Sequence, residues 1–545
     1  MSKSPELRSQ IDVAHEKSLE PGNGGHDDNL ELHLHDVGAK YATTADETEF
    51  TTAAQRRYLR RIDMLLMPIL FISWGLQYAD KSILNSAAQF GIVEDLDLAT
   101  VVMVDGKPTA SLKKFSYAVM LFYWGYFTGG EIRNKLLFFS VMISNADARE
   151  SVLPATYLAQ RIPIGKFVGV SIVVWGLVTM STALVSSYSG LMVNRFFLGV
   201  SECTPAPAFS LITAMWYTRE EQPLRIAIWY SASGMGSLLA GIAFYGIGHI
   251  HGSLHPWKYQ YLILGGVTVL WGIVVVCFLP DNPMKARFLT EDERVLAVKR
   301  IRASQTGIEN SVFKHYQFKE ALLDPKTWLL VLTAFTITLV NGALSGFGSI
   351  LIRSFGFSAF PSVLLSGSAG AVVVVSLLTF GTIALYCRNQ RINIFIVTSL
   401  LVIAGCVMIW KSSWKNLGVP LGGFYLLSFF AVAYVMLLSL MTANTAGHTK
   451  KATTSGLVWA STVVSNAVGP LLVKTTEASE HYPSLVEPIL AVLALSVGMM
   501  GALRAYVYMQ NKARDAKGTV TESDLSETAF ADMTDRENPN FRYSW

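Results

Sequence analysis

The sequence predicts an all-α membrane protein whose twelve transmembrane helices form two bundles of six. Three observations predict it. Of 545 residues, 51% are hydrophobic and 15% charged, and the mean hydropathy is +0.37. A soluble chain carries about a quarter charged residues. Apolar runs recur along the chain, each near the ~20 residues that cross a bilayer as a helix. A charged stretch in the middle leaves six such runs on either side.

Residues 1–55 are polar and acidic (PGNGGHDDNLELHLHD). They hold too little apolar surface to offset the cost of ordering and read as a disordered cytosolic tail. A cleavable signal peptide would begin with a basic segment and an apolar run, so the first span is expected to direct insertion. The N-terminal bundle covers 56–280, with spans at 64–84, 113–130, 167–186, 190–215, 225–248 and 260–279. Residues 281–326 form a charged cytosolic central loop in which TEDER marks a helix start. The C-terminal bundle covers 327–510, with spans at 327–350, 362–386, 392–411, 421–441, 454–473 and 487–509. Residues 511–545 are polar again and read as a second disordered cytosolic tail.

The second span is irregular. SYAVMLFYWGYFTGG stops early, and LPATYLAQRIPIGK resumes with membrane-like sequence. The stretch between them brings in Glu131, Arg133, Lys135, Asp147, Arg149 and Glu150. A charge at the bilayer centre costs about 2.5–3.5 kcal/mol on insertion scales. Joining Gly129 to Leu153 would make one smooth helix. We therefore expect residues 130–151 to be an insertion of the kind a retained intron leaves. A genuine loop interrupting the helix is the other reading.

Basic residues mark cytoplasmic loops. Here they precede span one (QRRYLRR) and fall between spans two and three, four and five, eight and nine, and ten and eleven. Lys512 and Arg514 follow span twelve. That alternation requires an even number of crossings with both termini in the cytosol. The net charge of +4 is spread over these loops, and no nucleic-acid partner is expected. Cys203, Cys277, Cys387 and Cys406 lie in or beside apolar runs without metal-ligand spacing, and they read as small apolar residues. The chain has no P-loop, no HExxH and no GxSxG elbow. That argues against an ATPase or another membrane enzyme. No cofactor or metal is expected, and any driving force comes from an ion gradient, unless transport is passive.

Within this apolar setting, RFFLGVSE places two opposite charges in span four. Seven residues is nearly two helical turns, so Arg195, Gly199 and Glu202 share a face with the charges about 10 Å apart along the axis. Neither charge can pair with the other inside the helix. Each needs a partner on another helix, in a wet cavity or on a ligand, which makes both functional candidates; the other reading of Arg195 is a place near a helix end from which it snorkels to the interface. Span one adds Asp80, Lys81 and Asn85 (YADKSILNSA); Lys81 can sit near the outer mouth. Span seven adds Asn341 (TLVNGALSGFGS), and spans ten to eleven add Asn444, His448, Trp459 and Asn466. The asparagines can bind substrate or bond helix to helix. The FYWGY cluster, with Tyr123, can stack on a planar ligand or simply pack.

The six-plus-six arrangement about a charged loop resembles the major facilitator superfamily. LAQRIPIGK after span two resembles a divergent form of the family's loop motif, with Gln160 where an acidic residue is usual and a longer Arg-to-Gly spacing. R-x-x-x-G-x-x-E followed by PAPA resembles the anion:cation symporter family. FLPDNPMKARFLTEDER and NTAGHTKK resemble its fungal allantoate permease branch. The resemblance covers roughly 55–510 apart from the segment in span two. It implies a secondary transporter that imports a small organic anion, a carboxylate such as allantoate, ureidosuccinate, nicotinate or a vitamin, together with a proton. It implies that Arg195 meets the anion and that Glu202 couples the proton.

Burial favours the neutral form of an isolated carboxyl group, so Glu202 or Asp80 is the expected proton carrier. Arg195, Asn341, Asn444, Trp459, Asn466 and Tyr123 are the expected substrate-binding residues, and Arg161, Lys166 and His448 the expected gating residues. The expected partners are the anion, protons and the lipid bilayer, with the protein a monomer in the plasma membrane. An exporter of small or toxic compounds and a non-transporting nutrient sensor are the alternatives.

Overall fold

The structure is a computed structural model that describes residues 52–104, 107–144, 164–218, 221–281, 283, 286, 288–304, 314–387, 389–516, 533–538 and 541–545. Residues 1–51 of the expected N-terminal tail lie outside the described residues. The first half contains α1 (Thr52–Ala87), α2 (Ile92–Asp95), a β1–β2 hairpin (Thr100–Val104 and Lys107–Ser111) and α3 (Lys113–Ser144). It continues with α4 (Ile164–Ser181), α5 (Tyr188–Glu202), α6 (Pro205–Trp216), α7 (Gln222–Ile247) and α8 (Pro256–Phe278). Two linker helices follow, α9 (Glu291–Ser304) and α10 (His315–Leu323). The second half contains α11 (Pro325–Ser354), α12 (Ala359–Tyr386), α13 (Arg391–Lys411), α14 (Gly418–Leu427), α15 (Phe430–Asn444), α16 (His448–Leu472) and α17 (Pro483–Asp515).

Among the described residues, ten helices or collinear helix pairs are long and apolar enough to cross a membrane. Helix α3 and the broken pair α5–α6 supply the other two of the twelve spans. The start of α1 and the end of α17 share what we call the near face. The hairpin lies on the opposite, far face.

Three features correct the sequence reading. Span four is not one helix over 190–215. It stops at Glu202 and restarts at Pro205, because Pro205 and Pro207 lack an N–H for the ladder and clash with the preceding turn. The last carbonyls of a helix lack intrahelical donors, and Gln77 Nε2 supplies one to the Glu202 carbonyl at 3.0 Å. Span two does not end at residue 130. Helix α3 runs unbroken to Ser144; residues 145–163 lie outside the described residues. The tail beyond 511 is not wholly without structure. Helix α17 continues to Asp515, and residues 533–538 and 541–545 seat against the near face, with Asp535 fully buried. Local composition could not show this, because the stabilising partners are lysines some 85 to 210 positions earlier.

In the linker, the Glu293 N–H donates to Thr290 Oγ1 (3.3 Å) and the Thr290 N–H to Glu293 Oε2 (3.0 Å). These reciprocal bonds form a capping box that starts α9. Arg61 Nη1 then bonds Glu293 at 2.8 Å, and Arg300 bonds Glu221. Together these tie the linker to the near face of the first half.

Small residues set how closely the helices approach. A Cβ on Gly199 would lie 2.0 Å from the Phe122 carbonyl oxygen, so the backbones of α3 and α5 touch. Between the halves, a Cβ on Gly370 would lie 2.1 Å from the Gly234 carbonyl oxygen, which brings α12 against α7.

Polar contacts between the halves gather toward the far face. Asn85 Oδ1 accepts from the Ser349 N–H and from Ser349 Oγ, both at 2.9 Å. Arg353 Nη1 donates to Gln89 Oε1 at 2.9 Å. The Leu112 N–H donates to Thr475 Oγ1 at 3.2 Å, and Thr475 Oγ1 donates to the Ala110 carbonyl at 3.0 Å, joining the hairpin to the second half. Asn85→Ala removes the acceptor that Ser349 uses twice. It should raise far-face labelling of a cysteine introduced at Ser82 by roughly tenfold, the effect of about 1.4 kcal/mol on the opening equilibrium. Unchanged labelling would show that this contact does not hold the far face shut.

Candidate functional site

Between the two halves lies a cavity with two contiguous lobes that share Tyr78, Lys81, Tyr123, Tyr230, Asn341 and Phe430. The lobe nearer the far face is rich in hydroxyls, including Ser233, Ser237, Ser345 and Ser366. The other lobe is aromatic and amide-bearing, with Trp74, Tyr126, Tyr434, Trp459 and Asn466. Among the described residues, Lys81 is the one charged side chain on its wall.

Helix geometry explains why Asp80 and Lys81 face different surroundings. Neighbouring residues on an α-helix point about 100° apart. Asp80 turns into the first half, where it is 1% exposed. It accepts from Trp175 Nε1 at 3.0 Å and Thr179 Oγ1 at 3.2 Å, both on α4. Lys81 turns to the cavity. Its Nζ lies 4.9 Å from the Tyr78 ring centroid and 5.5 Å from that of Tyr126, within cation–π range.

Behind Lys81 stands Glu202, at the end of α5. Its side chain is 0% exposed, and Oε1 lies 3.5 Å from Lys81 Nζ. Neither carboxyl oxygen receives a hydrogen bond at ordinary length. Removing one partner of a buried ion pair leaves an uncompensated charge and costs about 3–5 kcal/mol. The ionised form of Glu202 therefore depends on Lys81 staying close.

Arg195 is not where the sequence reading put it. It is 3% exposed and donates through Nη2 to the Tyr261 hydroxyl on α8. It is absent from the cavity wall. The seven-residue spacing does put Arg195 and Glu202 on one face of α5, but that face is buried in the first half. Arg195→Ala should therefore lower thermal stability, since the Tyr261 hydroxyl loses its partner at a cost of about 1–3 kcal/mol. A melting curve of the purified variant checks this; an unchanged midpoint would contradict the structural role.

Asn444 is also displaced from its expected place. It is 1% exposed, at the near end of α15, and holds the C-terminal tail. Four other expected contacts do meet in the cavity. The Tyr123 hydroxyl lies 3.1 Å from Ser345 Oγ in the opposite half. Asn341 Nδ2 donates to Asn466 Oδ1 at 2.7 Å, and Asn466 Nδ2 to the Thr462 carbonyl at 2.7 Å. Trp459 lines the wall one helical turn before Thr462 and Val463.

Of the gating candidates, Arg161 lies outside the described residues. Lys166 is exposed at the start of α4, where Asp281 Oδ1 accepts the Gly165 N–H at 3.0 Å. His448 opens α16 just after Gly447, whose φ of +86° suits glycine; the His448 side chain is outside the described residues.

The main residue missed as a binding group is Lys81, and its signal was present in the sequence. Tyr78, Lys81, Ser82 and Asn85 recur at helical spacing through an otherwise apolar span. That stripe is the cavity-facing side of α1.

Two bundles enclosing a polar cavity at their interface, closed toward one face, define a secondary membrane transporter. The chain belongs to the Major Facilitator Superfamily, whose family model matches residues 151–470, more than half of the chain. It is 31% identical over 527 residues to an allantoate permease of Saccharomyces cerevisiae, covering 93% of this chain and 90% of that protein. It is 32% identical over 514 residues to a Schizosaccharomyces pombe protein described as an uncharacterized transporter, covering 94% and 91%. Among solved structures it resembles the xylose transporter XylE from E. coli in a partially occluded inward-open conformation. That match has a TM-score of 0.54 and 10% identity and covers 82% of this chain and 98% of XylE.

Proposed function

We propose that the protein imports a small organic anion together with a proton, by alternating access of the two halves to a shared cavity. The observation that carries this reading is Lys81, the single charged group on the cavity wall among the described residues. A cavity otherwise lined by hydroxyls, amides and aromatic rings offers one fixed site for a negative charge. The similarity to an allantoate permease supports a carboxylate as the cargo.

The coupling follows from competition for one ammonium group. In the empty carrier Lys81 neutralises Glu202. When a substrate carboxylate takes Lys81, Glu202 is left buried without its counter-ion, and a proton neutralises it instead. The loaded cavity then holds substrate, Lys81 and a neutral Glu202. Asp80, held by its two donors on α4 inside the first half, takes no part in this exchange. The near face, which carries the basic residues of α1 and α17, is cytosolic by the positive-inside rule, and the state described here is closed to the outside. The plasma membrane is the proposed location and a monomer the working unit.

Uptake of radiolabelled carboxylates, each beside its uncharged methyl ester, tests the reading in a host lacking its own carriers. Acids should accumulate at acidic outside pH and the esters should gain no carrier-dependent flux. Carrier-dependent uptake of the esters alone would overturn it.

A further inference from the structure

The near face of the second half carries a second constructed site, unrelated to the cavity. Lys326, at the start of α11, and Lys450, in the first turn of α16, have side chains 1% and 0% exposed. Lys450 Nζ lies 2.8 Å from Asp324, from Glu320 and from Asp535. Lys326 Nζ lies 2.5 Å from Asp535 and also bonds the Asn444 carbonyl. Asp535 belongs to the C-terminal tail, so the tail supplies a carboxylate that both lysines share. Burial pushes the Asp535 carboxyl up, but Lys326 and Lys450 outweigh it and hold it below the usual carboxylate range. Stability from these pairs is therefore present above the ordinary carboxylate value and lost only as pH falls through the lowered one.

Two asparagines recognise the tail's backbone. Asn511 Nδ2 donates to the Tyr543 carbonyl at 2.9 Å, and the Tyr543 N–H donates to Asn511 Oδ1 at 3.0 Å. Asn444 Nδ2 donates to the Ser544 carbonyl at 2.8 Å, and the Ser544 N–H donates to Asn444 Oδ1 at 2.8 Å. Each side-chain amide thus makes both hydrogen bonds that a residue in extended chain offers. The Tyr543 hydroxyl donates to Asp535 Oδ2 at 2.7 Å, closing the segment on itself. The partners come from α11, α15, α16 and α17.

We propose that this socket is a peptide-binding site, filled in cis by residues 533–538 and 541–545 of the chain's own C-terminal tail, and that its occupancy clamps the start of α11 to the α15–α16 turn. The recognised chemistry is an aspartate placed between two buried lysines, followed by an extended Tyr-Ser pair read by two asparagines. An emptied socket would take Asp535 from both lysines and Arg536 from Asp324, leaving Lys326 with Asp324 at 3.7 Å as its remaining carboxylate, so the clamp loosens when the tail leaves.

Hydrogen–deuterium exchange on the full-length protein tests this. In the wild type, the amides of Tyr543 and Ser544 should exchange at least tenfold more slowly than in a free peptide of residues 533–545. In Asp535→Asn, that protection should fall at least tenfold, and segment 444–450 should exchange faster. Adding the free wild-type peptide in excess to Asp535→Asn should restore protection at 444–450, and the peptide carrying D535N should not. Wild-type amides that exchange at the free-peptide rate would overturn docking, even if the variant fails to fold. Protection in Asp535→Asn equal to wild type would overturn the role of the shared carboxylate. No restoration by the added peptide would overturn an exchangeable site.

Discussion

Lys81→Ala should abolish anion uptake while the protein still reaches the membrane in normal amount. Hydrogen bonds to charged groups contribute about 1.5–3 kcal/mol, or roughly 10- to 150-fold in affinity at 1.4 kcal/mol per decade. The loss should exceed that range, because without Lys81 the cavity offers the anion no counter-charge and a buried unpaired ion costs several kcal/mol more. Lys81→Arg keeps the charge but not the compact ammonium geometry, and it should retain a minority of the flux. Initial uptake rates over a substrate series, normalised to surface protein, give the answer. If Lys81→Ala moved a carboxylate with wild-type affinity, the anion would have to bind elsewhere and the proposed coupling would fail with it. The same substitution separates Lys81 from Arg195: loss of Arg195 is expected to show first as reduced thermal stability, since its guanidinium bonds Tyr261 and does not reach the cavity wall.

Glu202→Gln should convert a proton-driven carrier into one indifferent to the proton gradient. Glutamine has nearly the shape of a protonated glutamate but cannot release a proton. In the wild type, uptake should rise as the outside is acidified, because the substrate and Glu202 compete for Lys81 and a proton resolves the competition. In the variant Lys81 is free of its internal anion, so substrate binding should be retained or tightened. Exchange of internal for external substrate should persist, and accumulation against a gradient should be lost. The pH profile of uptake and the counterflow rate are measured on the same vesicles. A variant whose uptake still follows the proton gradient would move the proton site away from Glu202, to Asp80 or beyond.

Much of this was legible in the linear chain. Hydropathy and the alternation of basic loops identified a membrane protein with an even number of spans. Asn341, Asn466, Trp459 and Tyr123 were named from the sequence and do line the cavity. Glu202 was named and does stand next to it, beside the cavity's charged group. The chain failed to tell where in the fold a polar residue ends up. Arg195 and Lys81 both sit in apolar spans, and only the rotation of α1 and α5 against their neighbours sends one inward and the other to the cavity. Asn444 was indistinguishable in sequence from Asn341 and Asn466, yet it lies at the near end of its helix, where it holds the tail. The break after Glu202 was written in Pro205 and Pro207, but proline can also kink a helix that continues.

What the sequence by itself determined is therefore the class of solvent this chain folds in and the inventory of charges it carries there. Both follow from local composition, because each apolar run must satisfy its own backbone hydrogen bonds in lipid as a helix. Which charge faces a ligand, which is sealed inside a bundle, and which one a distant C-terminal carboxylate neutralises were decided only by tertiary packing. Such pairings join residues up to some two hundred positions apart, and no local pattern encodes which helix face meets which.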